Sequence, residues 1–306
     1  MRVRKENLLM LCATFFWALG HPLGKVIVRE VHPFALGSVT LMIGLICLFL
    51  YCVATGRIGK IRRFSRKYIF YSLGIGLLCF FLYQILTFSA LKRIPASMNA
   101  ILVATNVIFI MILAGLFLKE RIGIVRIFAI LLAGAGVVFV VFNAGFKLKG
   151  QVDIIGCAFS IGAAISFALY SVFGKGVLEK NDPLIVVTLA LLSGGVLLSL
   201  LALMTGSART LLTASLQAWL LMILLGVGMI GISYPLWFFC LKRLPASQIS
   251  IFIYMTPMFA VILSLIILRE RFFWLFWLGC ALILGGIVTV NISANRPESE
   301  QVRRQR

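Results

Sequence analysis

Acidic side chains are scarce in this chain. Nine Asp and Glu stand against 29 Lys and Arg, a formal charge of +20, and only 12% of the 306 residues are charged. With 62% hydrophobic residues and a mean hydropathy of +1.09, polar surface is too sparse to cover a water-soluble globule. No Asp or Glu falls in the middle of a long apolar run. Glu120 and Glu270 sit at run ends among basic residues, where local ion pairing is the simplest expectation, and Asp153 opens a run. The CxxC pair is missing too. Cys12, Cys47, Cys52, Cys79, Cys157, Cys240 and Cys280 are odd in number and lie within or beside apolar runs, so they read as small core residues rather than disulfides or metal ligands. No metal cluster, carboxylate pair or nucleophile motif stands where a membrane enzyme would need one, and no cofactor is expected. The basic excess lies mainly between apolar runs, where anionic headgroups and insertion asymmetry account for it without nucleic acid.

What is abundant is apolar sequence in long runs, without the alternation over about 10 residues that a porin-like barrel shows. Runs at about 7–27, 34–54, 68–90, 95–118, 124–142, 152–173, 184–205, 216–240, 245–268 and 274–292 predict ten helices. Each is long enough to cross roughly 30 Å of hydrocarbon. Arg2-Val3-Arg4-Lys5 before the first run superficially resembles a signal peptide, but the run continues through Trp17, His21 and Pro22 and reads as a retained span. Turn and charge signals fill the short linkers, and 295–306 reads as a disordered basic cytoplasmic tail.

The runs are duplicated. Leu91-Lys92-Arg93-Ile94-Pro95-Ala96-Ser97 returns as Leu241-Lys242-Arg243-Leu244-Pro245-Ala246-Ser247, 150 positions later. At the same offset Gly24-Lys25 meets Gly174-Lys175, Phe88 meets Phe238, and Lys119-Glu120-Arg121 meets Arg269-Glu270-Arg271. A constant offset predicts two five-helix units, 1–148 and 149–294. Placing the N-terminus in the cytoplasm puts 20 basic residues inside and 9 outside, the sense of the positive-inside rule. Five spans per unit is an odd number, so the second unit is expected upside down relative to the first. Inverted halves can open a central site to one face and then to the other.

These features resemble the EamA-like branch of the drug/metabolite transporter superfamily. The motifs that carry the likeness are Trp17-x-x-Gly20 before Gly24-Lys25, the paired Pro-Ala-Ser openings of spans four and nine, and the Lys/Arg-Glu-Arg ends of those spans. The resemblance implies a bacterial inner-membrane carrier, with export of an amino acid or related metabolite as the leading expectation. Other members carry nucleotide sugars or drugs, and a membrane subunit without transport of its own is the reading from another class. Small multidrug carriers of the superfamily use a membrane-embedded glutamate, for which this chain has no equivalent. The driving force is left open between proton coupling through His21, exchange, and facilitated flow down a gradient.

In such folds the substrate lies near the midplane, so polar residues deep in spans are the candidates. The first unit supplies Trp17, His21, Tyr83, Gln84, Asn99 and Asn106; the second supplies Tyr170, Ser171, Tyr234, Trp237, Tyr254 and Thr256. Aromatic faces suit stacking while amides hold a polar head. His21 stands beside Pro22, which frees a backbone carbonyl one turn back. Its alternative role is a neutral histidine bonded to a neighbouring backbone. Lys25 and Lys175, at equivalent run ends, are expected to snorkel to headgroups, with capture of a substrate anion at each gate as the alternative. Gly156, Ser160, Ala164 and Ala168 form a small-residue stripe suited to close helix packing.

Overall fold

Proline, glycine and short polar side chains divide the chain into its helices. A computed structural model describes residues 5–57, 59, 64–117, 153–243 and 255–294, with short pieces between 124 and 139. Among them there is helix and no strand. The helices are α1 (Lys5–Ile27), α2 (Pro33–Ala54), α3 (Arg66–Gly76), α4 (Tyr83–Arg93), α5 (Ala96–Val103) and α6 (Asn106–Phe117), followed by α7 (Ile154–Lys180), α8 (Pro183–Met204), α9 (Leu216–Leu224), α10 (Ser233–Arg243), α11 (Met255–Ile267) and α12 (Trp274–Ala294). Proline opens α2 and α8, where its missing N–H costs nothing. Asp153, Asp182 and Ser215 accept hydrogen bonds from the first free amides of α7, α8 and α9. α2 and α8 both end in Thr-Gly, with φ of +65° at Gly56 and +70° at Gly206, a left-handed turn that glycine enters without strain.

Two stretches of π-helix, Leu77–Leu82 and Leu225–Ile232, join α3 to α4 and α9 to α10 into continuous rods. Among the described residues six apolar runs are long enough to cross a bilayer: Leu8–Ile27, Pro33–Ala54, Arg66–Arg93, Ile154–Gly174, Pro183–Met204 and Leu216–Cys240. Shorter apolar helices accompany them. Large side chains such as Phe49, Leu50, Phe70 and Leu200 are exposed on the outside of the bundle, as lipid contact requires. The chain is a multi-pass membrane protein.

Within the expected span 95–118 a turn at 104–105 separates α5 from α6. There the Thr105 hydroxyl and amide both bond the Leu102 carbonyl instead of continuing the ladder. The run expected at 124–142 lies partly within the described residues, which are helical there, while the first part of that at 245–268 lies outside them.

At the core, α2 and α8 pack against each other and against the π stretches. Small residues make this possible. Gly44 abuts Ile230 and the Gly226 carbonyl, while Gly194 abuts Phe80 and the Gly76 carbonyl. Gly76 in turn faces Ala190 and Ser193, and Gly226 faces Thr40 and Ile43. Every one of these partners is its counterpart's equivalent at the 150-residue offset. A reciprocal pattern of this kind is what a two-fold relation between similar surfaces produces.

Candidate functional site

Trp17, His21 and Lys25 recur every fourth residue and so run down one face of α1. Gly20 and Gly24 lie on the same side, and their missing side chains let α1 close against Met229 at Gly20 and against Leu91 and Phe88 at Gly24. Between α1, α4, α5, α7, α10 and α11 this leaves a cavity of about 60 Å³. That is several times what one water needs. α1 supplies Trp17, Gly20 and His21 to its wall; α4 supplies Tyr83, Gln84, Thr87 and Phe88. The turn after α5 adds Ala104, α6 adds Asn106, and the second half of the chain closes it with Phe167, Met229, Tyr234, Thr256 and Pro257.

Among the described residues the lining carries no Asp, Glu, Lys or Arg. It does carry polar atoms without a protein partner: Trp17 Nε1, Gln84 Nε2, Asn106 Oδ1 and Thr256 Oγ1 are all buried and unbonded. Thr87 Oγ1, beside the Tyr83 hydroxyl but outside hydrogen-bond geometry, joins them. Leaving one such group unsatisfied costs about 1–3 kcal/mol, a cost that water or a polar solute in the cavity would relieve. Two of the atoms are N–H donors, one is a carbonyl acceptor and two are hydroxyls that can serve either way.

His21 is held from behind. Asn99 Nδ2 lies 3.2 Å from its Nδ1, and Ser160 Oγ donates to Asn99 Oδ1 at 2.7 Å. With its oxygen engaged by Ser160, Asn99 donates to Nδ1, which leaves a neutral imidazole with its proton on Nε2. The alternative of a bond to neighbouring backbone is corrected accordingly: a side-chain amide takes that place. Ser160 belongs to the small-residue stripe of α7, which packs on α4 through Gly156 against Arg93 and Ile94.

Of the other predicted residues, Trp237 and Tyr170 stand one layer behind the wall. Trp237 lies 5.4 Å from Trp17 and Tyr170 lies 4.9 Å from Phe167, centroid to centroid. Tyr234 packs on Trp17 at 5.3 Å and on Phe80 at 4.8 Å. Ser171 spends its hydroxyl on the Phe167 carbonyl. Tyr254 and the Lys175 side chain lie outside the described residues. Sequence reasoning missed Thr87, Phe88 and Phe167; the spacing of Thr87 and Phe88, one turn beyond Tyr83 and Gln84, was the available signal for the first two.

Two expectations about charge are corrected. Lys25 does not reach for headgroups: its Nζ donates to the Leu91 carbonyl at 2.6 Å and the Ile94 carbonyl at 2.9 Å. Pro95 explains it, because the residue four beyond Leu91 has no N–H to offer and the carbonyl is left for the amine. Nor does Glu270 pair with its basic neighbours. Its carboxylate accepts from the amides of Ala96 at 2.9 Å and Ser97 at 3.3 Å and from the Ser97 hydroxyl. These are the free donors at the start of α5.

A larger apolar groove of about 850 Å³ runs between α2, α8 and α10 and ends at the Arg57–Asp182 ion pair. None of the predicted site residues lines it.

Among the described residues, a helical bundle with lipid-facing aliphatics around a small cavity lined by polar side chains defines a multi-pass membrane protein. The sequence profile of the EamA-like transporter family matches residues 4–142 and again 154–292, so the chain belongs to that family and repeats its unit. An uncharacterized transporter of Clostridium kluyveri is 24% identical over 97% of this chain and 96% of its own length. The uncharacterized transporters YvbV and YetK of Bacillus subtilis are 26% and 25% identical, over 97% and 90% of this chain and 95% and 83% of their own. A solved crystal structure covering 95% of this chain and 98% of its own matches with a TM-score of 0.66 at 20% identity, a likeness of fold. The family and these relatives are transporters rather than enzymes.

Proposed function

We propose that the protein is a secondary carrier that moves a small polar metabolite, an amino acid or a close relative, outward across a bacterial cytoplasmic membrane by alternating access. The observation that carries this reading is the set of unpartnered donors and acceptors around the cavity between the two halves. A zwitterion or neutral solute satisfies them without bringing in a net charge that nothing there would balance. Trp17, Tyr83 and Tyr234 offer flat walls to an aliphatic or aromatic portion. The small volume favours such a solute over a nucleotide sugar.

Ten spans arranged as inverted five-helix halves fit this reading, with both termini cytoplasmic. It draws support from the reciprocal glycine contacts and from the repeated family match. Such halves interconvert by exchanging conformations around the shared cavity. His21, with an imidazole N–H toward the cavity, is the group we assign to the substrate or to a coupling proton.

Counterflow in proteoliposomes tests the reading without assuming a driving ion. Vesicles are loaded with one unlabelled candidate and uptake of trace labelled material is followed. Accumulation with amino acids is expected. Accumulation only with nucleotide sugars or organic cations would replace the substrate assignment, and none with any class from folded protein would overturn the carrier reading.

A further inference from the structure

The most faithfully duplicated stretch of the chain, Leu91 to Ser97, is a break between helices, and the cavity by itself gives it no task. At that break α4 ends with carbonyls lacking partners and α5 starts with amides lacking partners, because Pro95 interrupts the ladder. Two distant side chains satisfy both sides. Lys25, at the end of α1, bonds the Leu91 and Ile94 carbonyls. Glu270, just beyond the end of α11, bonds the Ala96 and Ser97 amides and the Ser97 hydroxyl. Lys25 and Glu270 are also within electrostatic reach of one another. The cluster therefore ties α1, α4 and α5 of the first half to α11 of the second.

It also lies next to the cavity. Asn99, the partner of His21, is two residues beyond Ser97, and Ala100 of the wall is three beyond, a rise of about 5 Å along the helix. On α1, Lys25 is one turn past His21. On both α1 and α5 about one turn separates the clasp from cavity residues. α11 and α5 pack against each other, and Glu270 bonds across that contact.

We propose that Glu270 is the positioning residue of a polar clasp, formed with Lys25, Ala96 and Ser97, that closes one mouth of the transport pathway and holds α5 in register with His21. The proposal rests on the alternating-access reading of the cavity. Loss of the clasp must favour the conformation open at the Glu270 end at the expense of the one open at the other end. A residue that merely stabilised the fold would shift neither preference.

The test is directional accessibility. Thr87→Cys places a thiol in the cavity wall, and its labelling by a membrane-impermeant methanethiosulfonate is measured from each face of oriented vesicles. Peptide mass spectrometry reads this thiol alone while the native cysteines remain. With the clasp intact, labelling is expected mainly from the face opposite Glu270. Adding Glu270→Ala should raise labelling from the Glu270 face by about tenfold and lower it from the other, the shift expected when a charge-assisted bond is lost from one of two states. Ser97→Ala, which keeps the carboxylate and both amides, should move both values the same way by less. Equal increases from both faces, or no change, would overturn the clasp while leaving the carrier reading intact. A reporter reached from neither face in the clasp-intact protein would overturn the carrier reading and the clasp with it.

Discussion

His21 shows how much one side chain depends on the two behind it. Asn99 engages its Nδ1 and is itself fixed by Ser160, while the residue lines the cavity, so changing His21 and changing Asn99 give different results. His21→Gln retains a polar group but cannot carry a proton; we expect roughly tenfold weaker substrate affinity and the loss of any imidazole contribution to the pH profile of transport. Unchanged affinity and pH profile in counterflow would remove His21 from the site. Asn99→Leu instead strands His21 Nδ1 and leaves the Ser160 hydroxyl only the Gly156 carbonyl. It should cost about 1–3 kcal/mol of stability, read as an earlier thermal melt in detergent. His21, Gln84 and Asn106 were legible as candidates because a polar group deep in an apolar run needs a reason. Their arrangement was not, since it follows from which faces of α1, α4 and α6 turn toward one another. Trp237 illustrates the difference: equally deep, it supports Trp17 from behind rather than facing the cavity.

Among the elements, helix ends were easy to locate and their partners were not. Pro33, Pro183 and the two Thr-Gly endings follow from local rules about backbone amides and left-handed turns. Asp153 is another local cap: it accepts from the Gly156 amide at 2.8 Å and pairs with Arg93 at 3.0 Å. The Gly156 amide and the Arg93 guanidinium hold its carboxyl below the usual carboxylate range. A depressed value means that the carboxylate is favoured in the folded state. Its contribution is full above the unfolded pKa of about 3.9 and fades as pH falls through the lower folded value. Asp153→Ala should therefore melt earlier than the native chain at neutral pH, with the gap narrowing below about pH 4. A gap independent of pH would count against the cap. The partners at the Pro95 break lie 66 to 174 residues away in sequence, which is why local reading assigned Lys25 to headgroups and Glu270 to its basic neighbours.

For the molecule as a whole, the reciprocal contacts among Gly44, Gly76, Gly194 and Gly226 make the centre between the halves a tightly matched surface. A side chain at Gly226 would meet Ile43 and the Thr40 carbonyl, and one at Gly76 the Ala190 carbonyl and Ser193. Gly76→Leu and Gly226→Leu should each lower the melting temperature and the yield of folded protein, because backbone on the far side has no room to retreat. A native melting profile from either would contradict the close approach. Composition by itself determined that this chain lives in a membrane, since 62% hydrophobic residues leave too little polar surface for water. The constant offset of 150 likewise determined that it is built twice from one unit, because unrelated apolar runs do not keep register. Only the tertiary structure decided which polar groups share a cavity, and that Lys25 and Glu270 meet at the Pro95 break. Those outcomes depend on helix rotation and on distances between residues far apart in the chain, which periodicity does not encode.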